Sequence, residues 1–196
     1  MEESPALSGN LHSICSTEAF DTTPHSSAFT FQNTAYMNGI SVYYQNVRGL
    51  RTKTNELFVA ISDAEFDVVV LSVTWLNNQF CSSLLFGNEY NVFRNDWDPD
   101  RTGKVRGGGV LIAVSNRLGS FASPVEVNDN IEQLWVNIDA GLRTVCLGVV
   151  YLPPDASTSV SSIDKLINST LAVSEKLHPH DFNLLLGDFN QPGLSW

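Results

Sequence analysis

The sequence has few cysteines, no long apolar segment and no secretory leader, and each of these shortages excludes a class of protein. Three cysteines lie far apart at positions 15, 81 and 146. An odd number without metal-binding spacing is typical of buried thiols in a reducing compartment. No apolar run approaches the ~20 residues of a membrane span. The first five residues, Met1 to Pro5, lack the basic and apolar regions of a signal peptide. We therefore expect an intracellular protein that is neither secreted nor membrane-bound.

Basic residues are also scarce. The chain has 11 Lys and Arg residues against 21 Asp and Glu residues, and its net charge is −10. Proteins that coat nucleic acids are usually basic, so the composition argues against that class. It does not exclude a nuclease, because acidic residues can hold a metal ion and contact with the substrate can be local. The length of 196 residues and the hydrophobic content of 43% fit one domain with a core.

The first 37 residues differ from the rest of the chain. They contain four acidic residues and no Lys or Arg, they are rich in Ser, Thr and Asn, and they lack hydrophobic periodicity. This composition predicts a disordered acidic and polar tail over residues 1–37. We expect a folded domain over residues 38–196.

Strand and helix patterns alternate in the predicted domain. Apolar spacing of helical period predicts helices over 51–64 and 161–177. Alternating or continuously apolar segments predict strands over 40–46, 67–71, 90–94, 110–114, 133–138, 144–151 and 182–186. Many strands with two helices between them predict an α/β or α+β sandwich of two sheets.

The last predicted strand runs into Gly187, Asp188, Phe189 and Asn190. A carboxylate at a strand end can orient a water molecule or take its proton. A nearby amide can stabilise charge that develops on a phosphoryl oxygen. Asp and Asn are also common turn residues, and the dipeptide alone favours a turn over a catalytic site.

Three further positions lie where a predicted strand meets a loop, namely Asn46, Val73 and Tyr151. The hydroxyl of Tyr151 can donate a hydrogen bond to a phosphate, although a strand-end aromatic residue can also simply cover the core. A turn before Gly49 is the alternative interpretation of Asn46.

A glycine-rich loop, predicted over residues 95–109, is surrounded by cations. Such cations can contact a phosphate backbone. Acidic residues interleave with them, so a solvated and self-neutralised loop is an equal alternative. The cations are Arg94, Arg101, Lys104 and Arg106, and the acids are Asp96, Asp98 and Asp100.

Six short motifs follow one another in a fixed order from residue 45 onward. They are Gln45 to Leu50, Leu71 to Leu76, Val92 to Asp96, Gly107 to Ile112, Val149 to Pro154 and Gly187 to Asn190. Together they resemble the endonuclease/exonuclease/phosphatase family of DNase-I-like fold, and in particular the apurinic-type endonuclease domain of non-LTR retrotransposons. The resemblance covers residues 40 to 196.

The resemblance implies a fold and an activity. The fold is a four-layer sandwich of two sheets with helices on the outer faces, incomplete at the C-terminus. The activity is Mg²⁺-dependent hydrolysis of DNA phosphodiesters, which nicks target DNA to prime reverse transcription. DNA is then the partner, no small-molecule cofactor is needed, and a functional protein would be nuclear.

The resemblance also implies a role for each candidate residue. Asn46 lies at the metal and phosphate end of the site, and Tyr151 contacts the phosphate. Asp188 activates or orients the attacking water, while Asn190 holds the transition-state phosphate. Apart from the resemblance, the cations around the glycine-rich loop make Arg94 and Arg106 candidates for binding the substrate.

Two departures from the family pattern bear on activity. The family places a Glu, its principal metal ligand, at the position of Val73, and an isopropyl group offers no oxygen to Mg²⁺. The family also continues into a Ser-Asp-His segment that is not among these residues. We therefore expect the chain itself to be inactive. The alternatives are a non-catalytic remnant or binding module of a mobile element, and a family phosphodiesterase acting on a phosphoinositide or sphingolipid head group.

Overall fold

Two β-sheets packed face to face form the body of the molecule. The structure is a computed structural model that describes residues 15–18, 26–33, 37–98, 107–119, 122–127, 131–141, 143–154 and 159–190. The strands of the first sheet are β1 (Cys15–Glu18), β2 (Ser26–Asn33), β3 (Met37–Asn46), β4 (Val68–Ser72), β5 (Tyr90–Asn95) and β6 (Val110–Ser115). The strands of the second sheet are β7 (Ala122–Val125), β8 (Glu132–Asp139), β9 (Thr144–Tyr151) and β10 (Phe182–Asp188).

Both sheets mix parallel and antiparallel pairs. The strand order is β1-β2-β3-β4-β6-β5 in the first sheet and β10-β9-β8-β7 in the second. The pairs β3–β4 and β9–β10 are parallel, and each is joined by a crossover that contains a helix. These helices are α1 (Thr54–Ala64) and α4 (Ser159–Ser174). The short helix α2 (Ser83–Phe86) lies between β4 and β5 of the first sheet, and α3 (Asn116–Gly119) lies in the connection from β6 of the first sheet to β7 of the second.

The core lies in three layers of apolar contact. Between the sheets, the inner faces of β4 and β6 pack against those of β8 and β9. On the outside of the first sheet, Leu57 and Ile61 of α1 pack against Val69 and Leu71. On the outside of the second sheet, Leu166 and Val173 of α4 cover the sheet. This arrangement of helix, sheet, sheet and helix confirms the predicted sandwich.

Strand β4 shows why the pattern was informative. All five of its residues are buried, because the strand is central in its sheet and is covered on both faces. A continuous apolar and β-branched run is the signature of such a strand. In the described part of the chain, no helix is long and apolar enough to cross a bilayer.

Two strands lie within residues 1–37, the segment for which composition predicts a disordered tail. Strands β1 and β2 pair with each other, and β2 pairs with β3. The sequence of β2 alternates Phe29 and Phe31 with polar residues, which is the period of a strand. Composition alone hid this short alternation because the surrounding residues are polar.

Candidate functional site at one edge of the two sheets

Six residues from six strands form two facing rows at one edge of the sandwich. In the first sheet the row is Asn46, Ser72 and Val110, at the ends of β3 and β4 and the start of β6. In the second sheet it is Glu132, Tyr151 and Asp188, at the start of β8 and the ends of β9 and β10. Both rows continue the faces that line the core between the sheets, so their polar atoms close that core at one end.

A hydrogen bond joins the two rows. The Asn46 side chain donates through Nδ2 to Oδ2 of Asp188 at 2.6 Å. Its other atom, Oδ1, accepts the backbone N–H of Arg48 at 3.2 Å. The amide is therefore oriented by its own loop and fixes the carboxylate of the opposite sheet. Sequence analysis selected both residues, and the structure brings them into contact.

Local packing explains why Asp188 stands at this point. A Cβ on the preceding residue, Gly187, would lie 2.1 Å from the carbonyl oxygen of Val150, so only glycine allows β10 to approach β9 this closely. The backbone oxygen of Asp188 then accepts the N–H of Leu152 at 2.9 Å. The strand pairing thus continues up to the site.

Asn190 completes a turn around the carboxylate. Its backbone N–H donates to Oδ1 of Asp188 at 3.3 Å, and its Nδ2 donates to the carbonyl oxygen of Leu152 at 2.8 Å. The residue adopts a positive φ of 45°, which Asn tolerates better than most residues. The turn and site interpretations of this segment are therefore compatible. Tyr151 lies directly between Glu132 and Asp188 in its row.

Tyr44 and Ser72 belong to the site but were not selected from the sequence. Their hydroxyl oxygens are 3.0 Å apart and share a hydrogen bond. Burial raises the pKa of Tyr44 to about 12, the nearby charge of Asp188 also raises it, and the bond with Ser72 acts in the opposite direction. The Tyr44 hydroxyl therefore stays neutral at physiological pH. The period-two alternation of β3, which puts Tyr44 and Asn46 on one face, was the available signal.

Glu132 is a second residue that sequence analysis missed. The side chain is buried, and its Oε2 accepts the backbone N–H of Gly109 at 2.6 Å. A Cβ at Gly108 would lie 1.9 Å from the same oxygen, so the glycines let the loop pass over the carboxylate. An acid directly before the apolar strand predicted over 133–138 was the signal.

Val73 lies beyond the end of β4 in an unfavourable backbone conformation. Its φ is 59°, a region that β-branched residues rarely occupy, and its side chain is buried. The conformation is held from both sides, because the carbonyl oxygen of Val73 accepts the N–H of Gly49 at 2.8 Å and Thr74 donates to the oxygen of Gly109 at 3.1 Å. The side chain offers no ligand atom at this position.

The donor set does not fit Mg²⁺, which prefers several oxygen ligands, most often carboxylates. The Val73 side chain carries no oxygen, and both oxygens of Asp188 accept hydrogen bonds from Asn46 and Asn190. Within the described residues, no group of three or more His, Cys, Asp or Glu side chains is placed to hold a metal ion. The buried carboxylate of Glu132 is turned toward the Gly109 amide.

Arg94 lies next to the glycine-rich loop and makes an extensive set of hydrogen bonds. Its five N–H groups are all used: two go to the carboxylate of Asp96, and the others go to Phe80 O, Ser82 Oγ and Asn77 O. This arrangement makes Arg94 a tie between two connections, and its substrate-binding role stays a prediction. Arg106, the other cation selected from the sequence, lies outside the described residues.

The architecture is similar to that of two solved endonucleases and one 3′ phosphatase. The AP endonuclease LMAP from Leishmania major is similar with a TM-score of 0.61 at 17% identity over 75% of this chain. The endonuclease domain of TRAS1, a telomere-specific non-LTR retrotransposon, is similar with a TM-score of 0.53 at 13% identity over 78% of the chain. The 3′ phosphatase NExo from Neisseria, bound to product DNA hairpin, is similar with a TM-score of 0.54 at 16% identity over 79%.

The chain has the DNase-I-like fold. It spans 54% of the length of LMAP and 59% of the length of TRAS1 and of NExo. No protein-family model and no curated protein matches the sequence. At these identities the similarity establishes the DNase-I-like fold, and the two facing rows are the candidate site on it.

Proposed function

We propose that this chain is part of a DNA endonuclease of the endonuclease/exonuclease/phosphatase family, of the kind carried by non-LTR retrotransposons. The Asn46–Asp188 hydrogen bond carries the proposal, because it joins two of the residues that the motifs singled out, from opposite sheets, at the edge of a DNase-I-like fold. The similar structures support it: two are endonucleases, and NExo is bound to DNA. The proposed partner is therefore DNA.

The proposed roles follow from the hydrogen bonds. Asp188 has one carboxylate oxygen held by Asn46 and the other by Asn190, so it is fixed to orient a water molecule toward a phosphorus atom. Tyr151 is the register partner of Asp188, which supports a role for its hydroxyl as a hydrogen-bond donor to the phosphate. The hydrogen-bonded hydroxyls of Tyr44 and Ser72 add two neutral polar groups next to these residues.

We further propose that the chain binds DNA but does not cleave it. Members of the family use Mg²⁺, and a bound Mg²⁺ would polarise the phosphate. Val73 supplies no ligand here, and a positioned charge is the main source of rate in such hydrolysis. A DNA-binding module of a mobile element is thus the second candidate function, and Val73 is the observation that favours it.

Two assays on the full chain test these proposals. In the first, supercoiled plasmid is incubated with the protein and Mg²⁺, and we expect no nicking above a no-protein control. Nicking that follows the protein through purification and disappears with EDTA would contradict the loss of activity. In the second, binding of labelled DNA is measured by fluorescence anisotropy. Absence of binding to single-stranded, duplex and hairpin DNA alike would contradict the proposed function itself.

A further inference from the structure

The connection between β3 and α1 is a basic segment that directly follows the site residue Asn46. Residues 47–53, named here the basic loop, contain Arg48, Arg51 and Lys53, and no acid occurs between positions 46 and 55. The whole chain has 11 basic against 21 acidic residues, so this local excess runs against the composition. It begins one residue after Asn46, which holds Asp188.

The cations of the basic loop are available to a ligand. Arg48 and Arg51 are exposed, and neither guanidinium has a hydrogen-bond or ion-pair partner among the residues that the structure describes. Lys53 donates to the carbonyl oxygen of Val47 at 2.8 Å, and its ammonium has further donors. Arg94 in contrast has all its donors occupied, so the two kinds of arginine near the site differ in what they can bind.

The basic loop is held in a fixed position. Val47, Gly49 and Leu50 donate backbone N–H bonds of 3.0, 2.8 and 2.9 Å to the oxygens of Ser72, Val73 and Thr74 respectively. These bonds continue the parallel pairing of β3 and β4 beyond the C-terminal ends of the two strands. A ligand that binds Arg48 does not have to order the backbone first, which lowers the entropic cost of binding.

An aromatic side chain lies against the same loop. The indole of Trp75 packs on Gly49, where an added Cβ would lie 2.5 Å from Cε3 and 2.8 Å from Cζ3 of the ring. The backbone of Trp75 has a positive φ of 54°, and its side chain is 36% exposed, whereas Trp135 is only 1% exposed in the core. The six-membered ring of the indole thus contacts the basic loop at Gly49, and part of the side chain is exposed to solvent.

We propose that the basic loop and Trp75 form a metal-independent binding surface for single-stranded DNA. Arg48 binds a phosphate through its planar guanidinium, with Arg51 and Lys53 contributing charge along the strand. Trp75 stacks on an unpaired base, which a duplex would keep inside its own stack. The side-chain cations provide positive charge for the phosphates without a bound divalent ion, for which Val73 offers no ligand. This inference rests on the proposed function and names the substrate class of that site.

The test measures binding of the full chain to four fluorescein-labelled probes by anisotropy, each with Mg²⁺ and with EDTA. The probes are a single-stranded oligonucleotide, its duplex, an abasic strand of the same length and a neutral polyethylene glycol. We expect the single strand to bind best, equally with either addition, and with a salt slope of about −2, as three phosphate contacts predict for single strands. We expect Arg48→Gln to weaken binding of both the single strand and the abasic strand about tenfold, and Arg48→Lys to restore part of it.

Trp75→Leu separates stacking from charge. We expect it to weaken binding of the single strand about tenfold and to leave the abasic strand unchanged, since only the base is lost from contact, while Trp75→Phe keeps most of the affinity. Arg143→Gln and Phe58→Leu are matched controls, because Arg143 lies over the Phe182 ring just before β9 begins and Phe58 is exposed on α1. Circular dichroism and thermal melting verify that each variant is folded.

Each result supports or overturns the inference. Equal affinity for duplex and single strand, loss of binding with EDTA, or Arg48 and Trp75 variants that behave like the controls would overturn it and leave DNA binding as such intact. If either test variant fails to fold, binding is measured with its conservative partner instead, Arg48→Lys or Trp75→Phe. In addition, wild-type protein is alkylated with an indole-selective reagent in the presence and in the absence of the single strand. Lack of protection of Trp75 would then overturn the inference. If no DNA form binds, the proposed function fails as well.

Discussion

The side-chain amide of Asn46 donates to the carboxylate of Asp188 at 2.6 Å, and this bond ties the end of β3 in one sheet to the end of β10 in the other. The two residues are 142 positions apart, so only the packing of the two sheets can bring them together. The bond is half-buried and its acceptor carries a charge. It therefore has both a structural and a chemical consequence.

The structural consequence can be measured with a double-mutant cycle. We expect the Asn46→Ala and Asp188→Ala variants each to unfold at lower urea concentration, with a coupling free energy of about 1.5–3 kcal/mol between them, as for hydrogen bonds to charged groups. The free energies of unfolding come from urea titrations followed by circular dichroism. Additive effects of the two substitutions would show that the pair does not interact in solution.

Substitution of Val73 tests the interpretation of the metal site. We expect Val73→Glu to raise the affinity for Mg²⁺ about tenfold, or about 1.4 kcal/mol, because it adds a carboxylate at the position where the resembled family carries its metal ligand. Isothermal titration calorimetry measures the affinity. Val73→Gln has the same length without the charge and serves as the control. Equal affinities in the Glu and Gln variants would show that position 73 does not face the ion.

The buried carboxylate of Glu132 is expected to hold the glycine-rich segment in place. Glu132→Ala leaves the N–H of Gly109 without its acceptor in a buried position, and we expect a loss of about 1–3 kcal/mol in the free energy of unfolding. Hydrogen exchange at Gly109 should become faster. Asp139→Ala is the matched control, since Asp139 accepts the N–H of Gly141 in the same way but is exposed. A Glu132 variant as stable as the Asp139 variant would contradict this role.

The raised pKa of Tyr44 predicts a loss of stability at alkaline pH. The folded pKa of about 12 lies above the ordinary value of 10.0, so between these values the folded state keeps a proton that the unfolded state releases. The resulting stabilisation is fully present below pH 10 and disappears as the pH rises toward 12. In urea titrations at increasing pH, we expect the stability difference between wild-type protein and Tyr44→Phe to shrink over this window. A constant difference would show that Tyr44 titrates normally.

Much of the fold follows from local sequence patterns. Strand β9 has the predicted bounds, and β5, β6 and β8 agree with the predictions to within a residue at each end. The apolar run of each of these strands is long enough to identify the strand from the sequence. Strands β1, β2 and β7 and the short helices α2 and α3 were not predicted, because four to eight polar or mixed residues carry little periodicity and depend on a neighbouring strand for their hydrogen bonds.

The residues of the candidate site were selected from the sequence for a different reason. Asn46, Tyr151 and Asp188 stand at strand ends, and their positions along the chain carried that information. Glu132 and Ser72 could not be placed, because each owes its position to cross-strand register and sheet order: Glu132 is opposite Tyr151 and Ser72 is beside Asn46. No single-sequence pattern specifies which strand lies next to which.

The two facing rows also make the site sensitive to movement of one sheet over the other. Each row is rigid, since its members are bonded through neighbouring strands, but the distance between the rows depends on how the sheets slide. A ligand that contacts both Asn46 and Asp188 would bridge the two sheets at this end of the sandwich and restrict their relative movement. Occupancy of the site and the thermal resistance of the whole domain would then rise together, so a melting curve can report binding even where no bond is cut.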